Sequence, residues 1–134
     1  MTTSASRTSP ADVSLALAER LAAAIDANDL DALREEIYTP DVVVWHNDDQ
    51  HEQRVEENLK VLNWLHRKVG NKRYEDVVRQ ATPTGYVEQH VLRGTAPNGT
   101  EFEIPACLVV TVTGGRISRI DEYLDSQAAA ALRG

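Results

Sequence analysis

The sequence predicts an α+β fold in which a cone-shaped, curved antiparallel sheet wraps around three N-terminal helices. Two observations carry this prediction. Apolar residues recur at helical spacing as far as Val69, and the period turns strand-like from Asn71 onward. Pro97-Asn98-Gly99 and Gly114-Gly115 then divide the second half into hairpins. Helices followed by a run of strands segregate into two layers, and a sheet curved over helices leaves a conical pocket between them.

Each element has its own signal. Ser9-Pro10-Ala11-Asp12 is a helix start, with serine as N-cap, proline in the first turn and an acid behind it. Val13, Leu17, Leu21, Ala24 and Ile25 continue that helix until Asn28-Asp29 breaks it. A short second helix places Leu30, Leu33 and Ile37 on one side and stops at Tyr38-Thr39-Pro40. Asp41 to His46 is β-branched and reads as a buried strand. After the polar loop Asn47 to Gln53, a third helix lines up Val55, Leu59, Leu62, Leu65, His66 and Val69, with Gly70 as its C-terminal cap. Strands are expected at Arg73 to Gln80, Gly85 to Gly94, Glu101 to Thr113 and Arg116 to Leu124. A short alanine-rich helical tail follows.

The chain of 134 residues fits a single domain over 10–134, with the Ser/Thr-rich stretch 1–9 read as a disordered tail. Against 14 Lys and Arg stand 21 Asp and Glu, a net charge of −7. This balance argues against nucleic acid and anionic membrane surfaces as partners. The lone Cys107 excludes an internal disulfide and any multi-cysteine zinc site; it reads as a buried structural thiol. No apolar run approaches the ~18 residues needed to cross a bilayer, and the N-terminus lacks the apolar stretch of a secretory signal. The cytoplasm is the expected compartment.

Two segments carry a family resemblance. Gly115-Arg116-Ile117-Ser118-Arg119-Ile120-Asp121-Glu122-Tyr123-Leu124-Asp125 is similar to the final-strand "GRI…EYFD" pattern of the SnoaL-like branch of the nuclear transport factor two-like superfamily, which includes ketosteroid isomerases and limonene epoxide hydrolases. Tyr38-Thr39-Pro40-Asp41-Val42-Val43-Val44-Trp45-His46-Asn47 resembles that group's first strand, and the likeness runs from about Pro10 to Gln127. The resemblance implies a cystatin-like roll, a homodimer and a small apolar ligand of polyketide, terpene or steroid type. His46 falls where ketosteroid isomerases place a carboxylate base and epoxide hydrolases a water-holding asparagine. Glu122 falls where the hydrolases keep a water-activating aspartate. Gln89 and Val91 stand where those hydrolases carry an arginine and a second aspartate, and Ala106 where the isomerases place an oxyanion-site acid. Both patterns are therefore incomplete in this chain.

The residues themselves supply reasons for acid/base chemistry. An imidazole exchanges protons near neutrality, which suits His46 at a strand end. Glu122 shares its face with Ile120 and Leu124, and a carboxylate among apolar neighbours suits a general base. His46 and Glu122 are the expected catalytic residues, facing one cavity with their tips within ~10 Å. Gln89, His90, Val91, Val44 and Ala106 are the expected substrate-binding set. Gln89 and His90 are strand neighbours, so only one faces the pocket, and Glu88 shares the face of His90. Trp45, Trp64 and Phe102 read as core or dimer contacts. The cluster His46-x-Asp48-Asp49-x-His51 reads as solvated loop charge, so no metal and no cofactor is expected. The resulting expectation is a cofactor-independent enzyme of isomerase or cyclase type. A non-catalytic binder with the same pocket is the alternative, and an epoxide hydrolase with an incomplete triad a third. A homodimer also follows from the Val and Thr side chains on the sheet face turned away from the helices.

Overall fold

The computed structural model describes residues 9–132, so the predicted tail, Ser9 apart, lies outside the described residues. Helix α1 (Pro10–Ala27) starts as its sequence dictates: Ser9 Oγ accepts the backbone N–H of Asp12 at 3.1 Å. It ends at Asn28, whose φ of 52° is left-handed, and buries Leu17, Ala18, Leu21 and Ala24. Asp29 then caps α2 (Leu30–Ala32), which widens into a π-helical turn, Leu33–Ile37, with Leu33 and Ile37 buried. Strand β1 (Tyr38–His46) follows directly, three residues earlier than predicted. The two-residue strand β2 (Glu52–Gln53) pairs antiparallel with it.

Helix α3 (Val55–Lys68) buries Leu59 and Asn58, whereas His66 turns outward. Gly70 is not a left-handed cap. Val69 is already extended, and Gly70 opens strand β3 (Gly70–Thr82). Strands β4 (Gly85–Thr95), β5 (Glu101–Thr113) and β6 (Arg116–Leu124) follow the turn residues closely, and Gly99, Gly114 and Gly115 all have positive φ. A last helical turn, α4 (Ser126–Ala129), is capped by Asp125.

The six strands run in the order β2-β1-β6-β5-β4-β3. Strands β3 to β6 pair antiparallel, as hairpins must, but β1 joins β6 in parallel, so the sheet is mixed. No turn links β1 to β6, so nothing local forces them antiparallel. Asn47 extends this seam past the end of β1. Its side-chain nitrogen donates to the Leu124 carbonyl at 3.3 Å, and its Oδ1 accepts the Leu124 N–H at 2.9 Å. A bulge between Glu75 and Val78, with Asp76 at a φ of 56°, interrupts the register of β3 and bends the strand. One core cluster joins α1, β1 and the far ends of β4 to β6; a second gathers Val69, Leu92, Phe102, Ile104 and Ala129 beneath α4. Among the described residues no helix is long and apolar enough to cross a membrane.

Candidate active site

A cavity of about 330 Å³ lies between the helices and the concave sheet, at the small end of the range for ligand pockets. Its walls are mostly apolar, with Leu21, Leu62, Leu92, Ile104 and Leu108 among them. The polar groups come from β1, β3, β4, β6 and α3, and from Asp48 in the loop after β1. Val44, His46, His90, Ala106 and Glu122 all line this one cavity.

His46 and Glu122 are brought together by the parallel register, which sets them side by side on β1 and β6. His46 Nε2 stands 2.8 Å from Glu122 Oε1, with both side chains largely buried. Ile120 and Leu124 border the same cavity, as period two requires. Glu122 is therefore not an isolated carboxylate in an apolar wall but one half of a pair. Burial alone pushes the His46 ring toward its neutral form. The hydrogen bond to Glu122, and the negative charges of Glu122, Asp48 and Asp49, outweigh it and hold the imidazole above its usual range.

Gln89 and Val91 do not reach the cavity. The inward phase of β4 is Tyr86, Glu88, His90 and Leu92, so Gln89 and Val91 turn to the opposite face. There they border a shallow depression with Cys107 and Tyr123. Cys107 is partly buried and lies on that face rather than in the core. Phe102 is a core residue. Trp45 makes an edge contact with Tyr123, their centroids 5.3 Å apart, and Trp64 lines the cavity while remaining partly exposed. The two histidines of the loop cluster diverge, because His51 pairs with Glu57 on α3 while His46 pairs with Glu122.

Three cavity residues were not singled out by the sequence. Tyr38 reads as a helix stop, yet it is buried on β1 with its hydroxyl donating to Asn58 Oδ1 at 2.7 Å. Asn58 in turn donates to Gln53 Oε1 at 3.0 Å. Extending the alternation of Val44 and Val42 back along β1 would have pointed toward Tyr38. Tyr74, on β3, meets the His90 ring edge-on with centroids 4.9 Å apart. Burial pushes both phenols well above their ordinary range, so they remain protonated donors. Together these groups offer a paired carboxylate and imidazole within an apolar enclosure, a setting for moving a proton on an apolar molecule.

A family described as a SnoaL-like domain matches residues 18–120. No curated protein matches the sequence. Among solved structures, a candidate polyketide cyclase from Xanthomonas campestris pv. campestris is 20% identical with a TM-score of 0.78, covering 92% of this chain and 99% of that one. An NTF2-like protein from Burkholderia xenovorans LB400 is 17% identical with a TM-score of 0.81, covering 92% of this chain and 98% of its own. A protein of ketosteroid isomerase-like fold from Catenulispora acidiphila DSM 44928, solved with trimethylamine, is 16% identical with a TM-score of 0.72, covering 87% of this chain and 90% of its own. At these identities the likeness is one of fold.

Proposed function

The chain belongs to the SnoaL-like domain family, and on that premise we propose that its cavity transfers a proton on an apolar, carbonyl-bearing molecule of polyketide, terpene or steroid type. The observation that carries this reading is the His46–Glu122 pair at 2.8 Å inside a mostly apolar enclosure. Neither the family nor the fold decides the reaction, because one scaffold of this kind hosts enzymes and binders alike.

Glu122 is the base in this mechanism. His46 occupies Oε1, which fixes the carboxylate and leaves Oε2 toward the ligand. Oε2 takes the proton from the carbon beside the carbonyl, and the C–H electron pair moves into the enolate. The same oxygen returns the proton to carbon, as isomerisation or ring closure through an enolate requires. His46, held above its usual range, keeps its hydrogen bond to the carboxylate throughout.

α-Tetralone, a two-ring ketone, tests this directly through exchange of its C2 protons in D₂O, followed by NMR. The wild type is expected to accelerate exchange saturably, and Glu122→Gln to lose about 100-fold or more of that rate while still melting cooperatively. Saturable binding without exchange by the wild type would overturn the enzyme reading in favour of a non-catalytic binder. Full activity in Glu122→Gln would remove Glu122 from the mechanism.

A further inference from the structure

The strand row that carries Glu122 continues across the sheet. Glu122 pairs with Leu108, Leu108 with Glu88, and Glu88 with Arg79. A second inward carboxylate therefore stands two strands from the first, about 10 Å away at the backbone, given ~4.8 Å between strands. Glu88 is buried and doubly bonded: Arg79 Nε donates to Oε1 at 2.6 Å, and His90 Nδ1 lies 2.6 Å from Oε2. Burial alone would favour its protonated form. The bonds from His90 and Arg79 outweigh that and hold the carboxyl below its usual range.

This pairing has a consequence for the ring. A carboxylate only accepts, so Nδ1 of His90 carries the hydrogen, and in the neutral ring Nε2 is left as an acceptor. The side chain of His90 is 5% exposed, and among the described residues Nε2 has no hydrogen-bond partner. The edge contact with Tyr74 holds the ring plane. His90 borders the main cavity, a smaller one of about 220 Å³ beneath α1, and the outer depression that holds Gln89 and Val91. Glu88 and Arg79 border only the smaller cavity. The orienting bond from Glu88 therefore comes from the side of the smaller cavity, while His90 also lines the main one.

We propose that His90, oriented by Glu88 and Arg79, is a specificity-determining contact of the main cavity, its Nε2 accepting a hydrogen bond from a hydroxyl or enol on the part of the ligand remote from Glu122. The ligand class follows: an apolar fused-ring skeleton with a carbonyl at one end and a hydroxyl a ring or two away. A nitrogen without a partner on the wall of a largely apolar cavity discriminates for such a hydroxyl, because a ligand that covers it without offering one leaves it unsatisfied. The inference rests on the reading of the main cavity as an apolar-ligand site.

The test uses α-tetralone and 6-hydroxy-1-tetralone, which differ only by a hydroxyl on the far ring, with affinities measured by calorimetry. The wild type is expected to bind the hydroxylated ketone about tenfold more tightly. His90→Phe should reduce that ratio to within twofold, and His90→Gln, whose amide still bonds Glu88 and accepts a hydrogen bond, should keep part of it. Nitrogen NMR of histidine-labelled wild type adds a readout that requires no variant to fold. It should show the Nδ1-protonated tautomer of His90, with Nε2 shifting on addition of the hydroxylated ketone. Equal affinities in the wild type, a tenfold ratio surviving in His90→Phe, or a neutral ring protonated at Nε2 would each overturn the proposal. If both ketones bind with no preference, this inference alone falls. If neither binds, the reading of the cavity falls with it.

Discussion

His46 owes its charge to its neighbours, and that dependence gives the fold a pH signature. The ring is held above its unfolded value of about 6.5, chiefly by the Glu122 hydrogen bond acting against burial. A raised folded-state pKa contributes stability that is complete below the unfolded pKa and is lost as pH rises through the folded one. A double-mutant cycle on His46→Gln and Glu122→Gln, measured by denaturant unfolding, should give a coupling of about 1.5–3 kcal/mol near pH 6, the range for a hydrogen bond to a charged group. The coupling should be smaller near pH 9; one that stayed flat or grew would contradict the raised imidazole. Both partners were legible in the sequence, since His46 ends an apolar strand and Glu122 lies between Ile120 and Leu124 on one face. His90 was not separable from Gln89. Val87 and Val91 make the outward phase of β4 as apolar as the inward Tyr86 and Leu92, so hydrophobicity alone could not choose between the phases.

The elements were most legible where turn chemistry marks them. Strands β5 and β6 start and stop at their predicted residues, because glycine at positive φ leaves the chain little choice there. The parallel β1–β6 seam had no such marker, since hairpin signals specify only sequence neighbours. Gly70 misled for a related reason: a glycine after a helix resembles a cap, but here the backbone passes straight into β3, where Gly70 faces Thr95. Gly85 has a different task, letting β4 approach β5 closely. A Cβ on it would fall 2.0 Å from the Val110 carbonyl oxygen, a backbone atom that cannot swing aside. Gly85→Ala is expected to cost about 3 kcal/mol, the upper end for overpacking. Gly99→Ala meets nothing within 4 Å and should cost only the left-handed strain of about 1–2 kcal/mol. Equal losses in chemical denaturation would contradict the close approach.

One face of the sheet covers the helices while the other, open face carries exposed apolar side chains among its charged pairs. Val78 is 53% exposed, Tyr123 49% and Val109 41%, on three different strands. Trp45 and Cys107 border the same surface, as their registers with Asp121 and Tyr123 require. Exposed apolar side chains on three strands of one face are a liability for an isolated chain, and we expect a homodimer formed across it. Sedimentation velocity at micromolar concentration should give a dimer, and Val109→Glu, at the centre of the face, a monomer. A monomeric wild type would contradict the expectation. The two-layer plan was legible because, the strand predicted at 41–46 apart, the hydrophobic period is helical before residue 70 and strand-like after it. The cavity's dimensions were not, since they depend on how far the bulge at Asp76 and the final turn α4 bend and close the cone.

The Asn47–Leu124 contact joins residues 77 apart in sequence, and that separation sets an order of events. The hairpins of β3 to β6 close over a few residues each, whereas the β1–β6 seam must enclose nearly everything between them. From the entropic cost of that long closure we expect the seam to form beyond the folding barrier, so loosening it should register in the unfolding limb of a chevron rather than in the folding limb. His46 and Glu122 lie on either side of this seam. On the proposed function, the His46–Glu122 pair is then expected to form late and to loosen early, and a ligand that bridges it should act on lifetime, slowing unfolding more than it hastens folding.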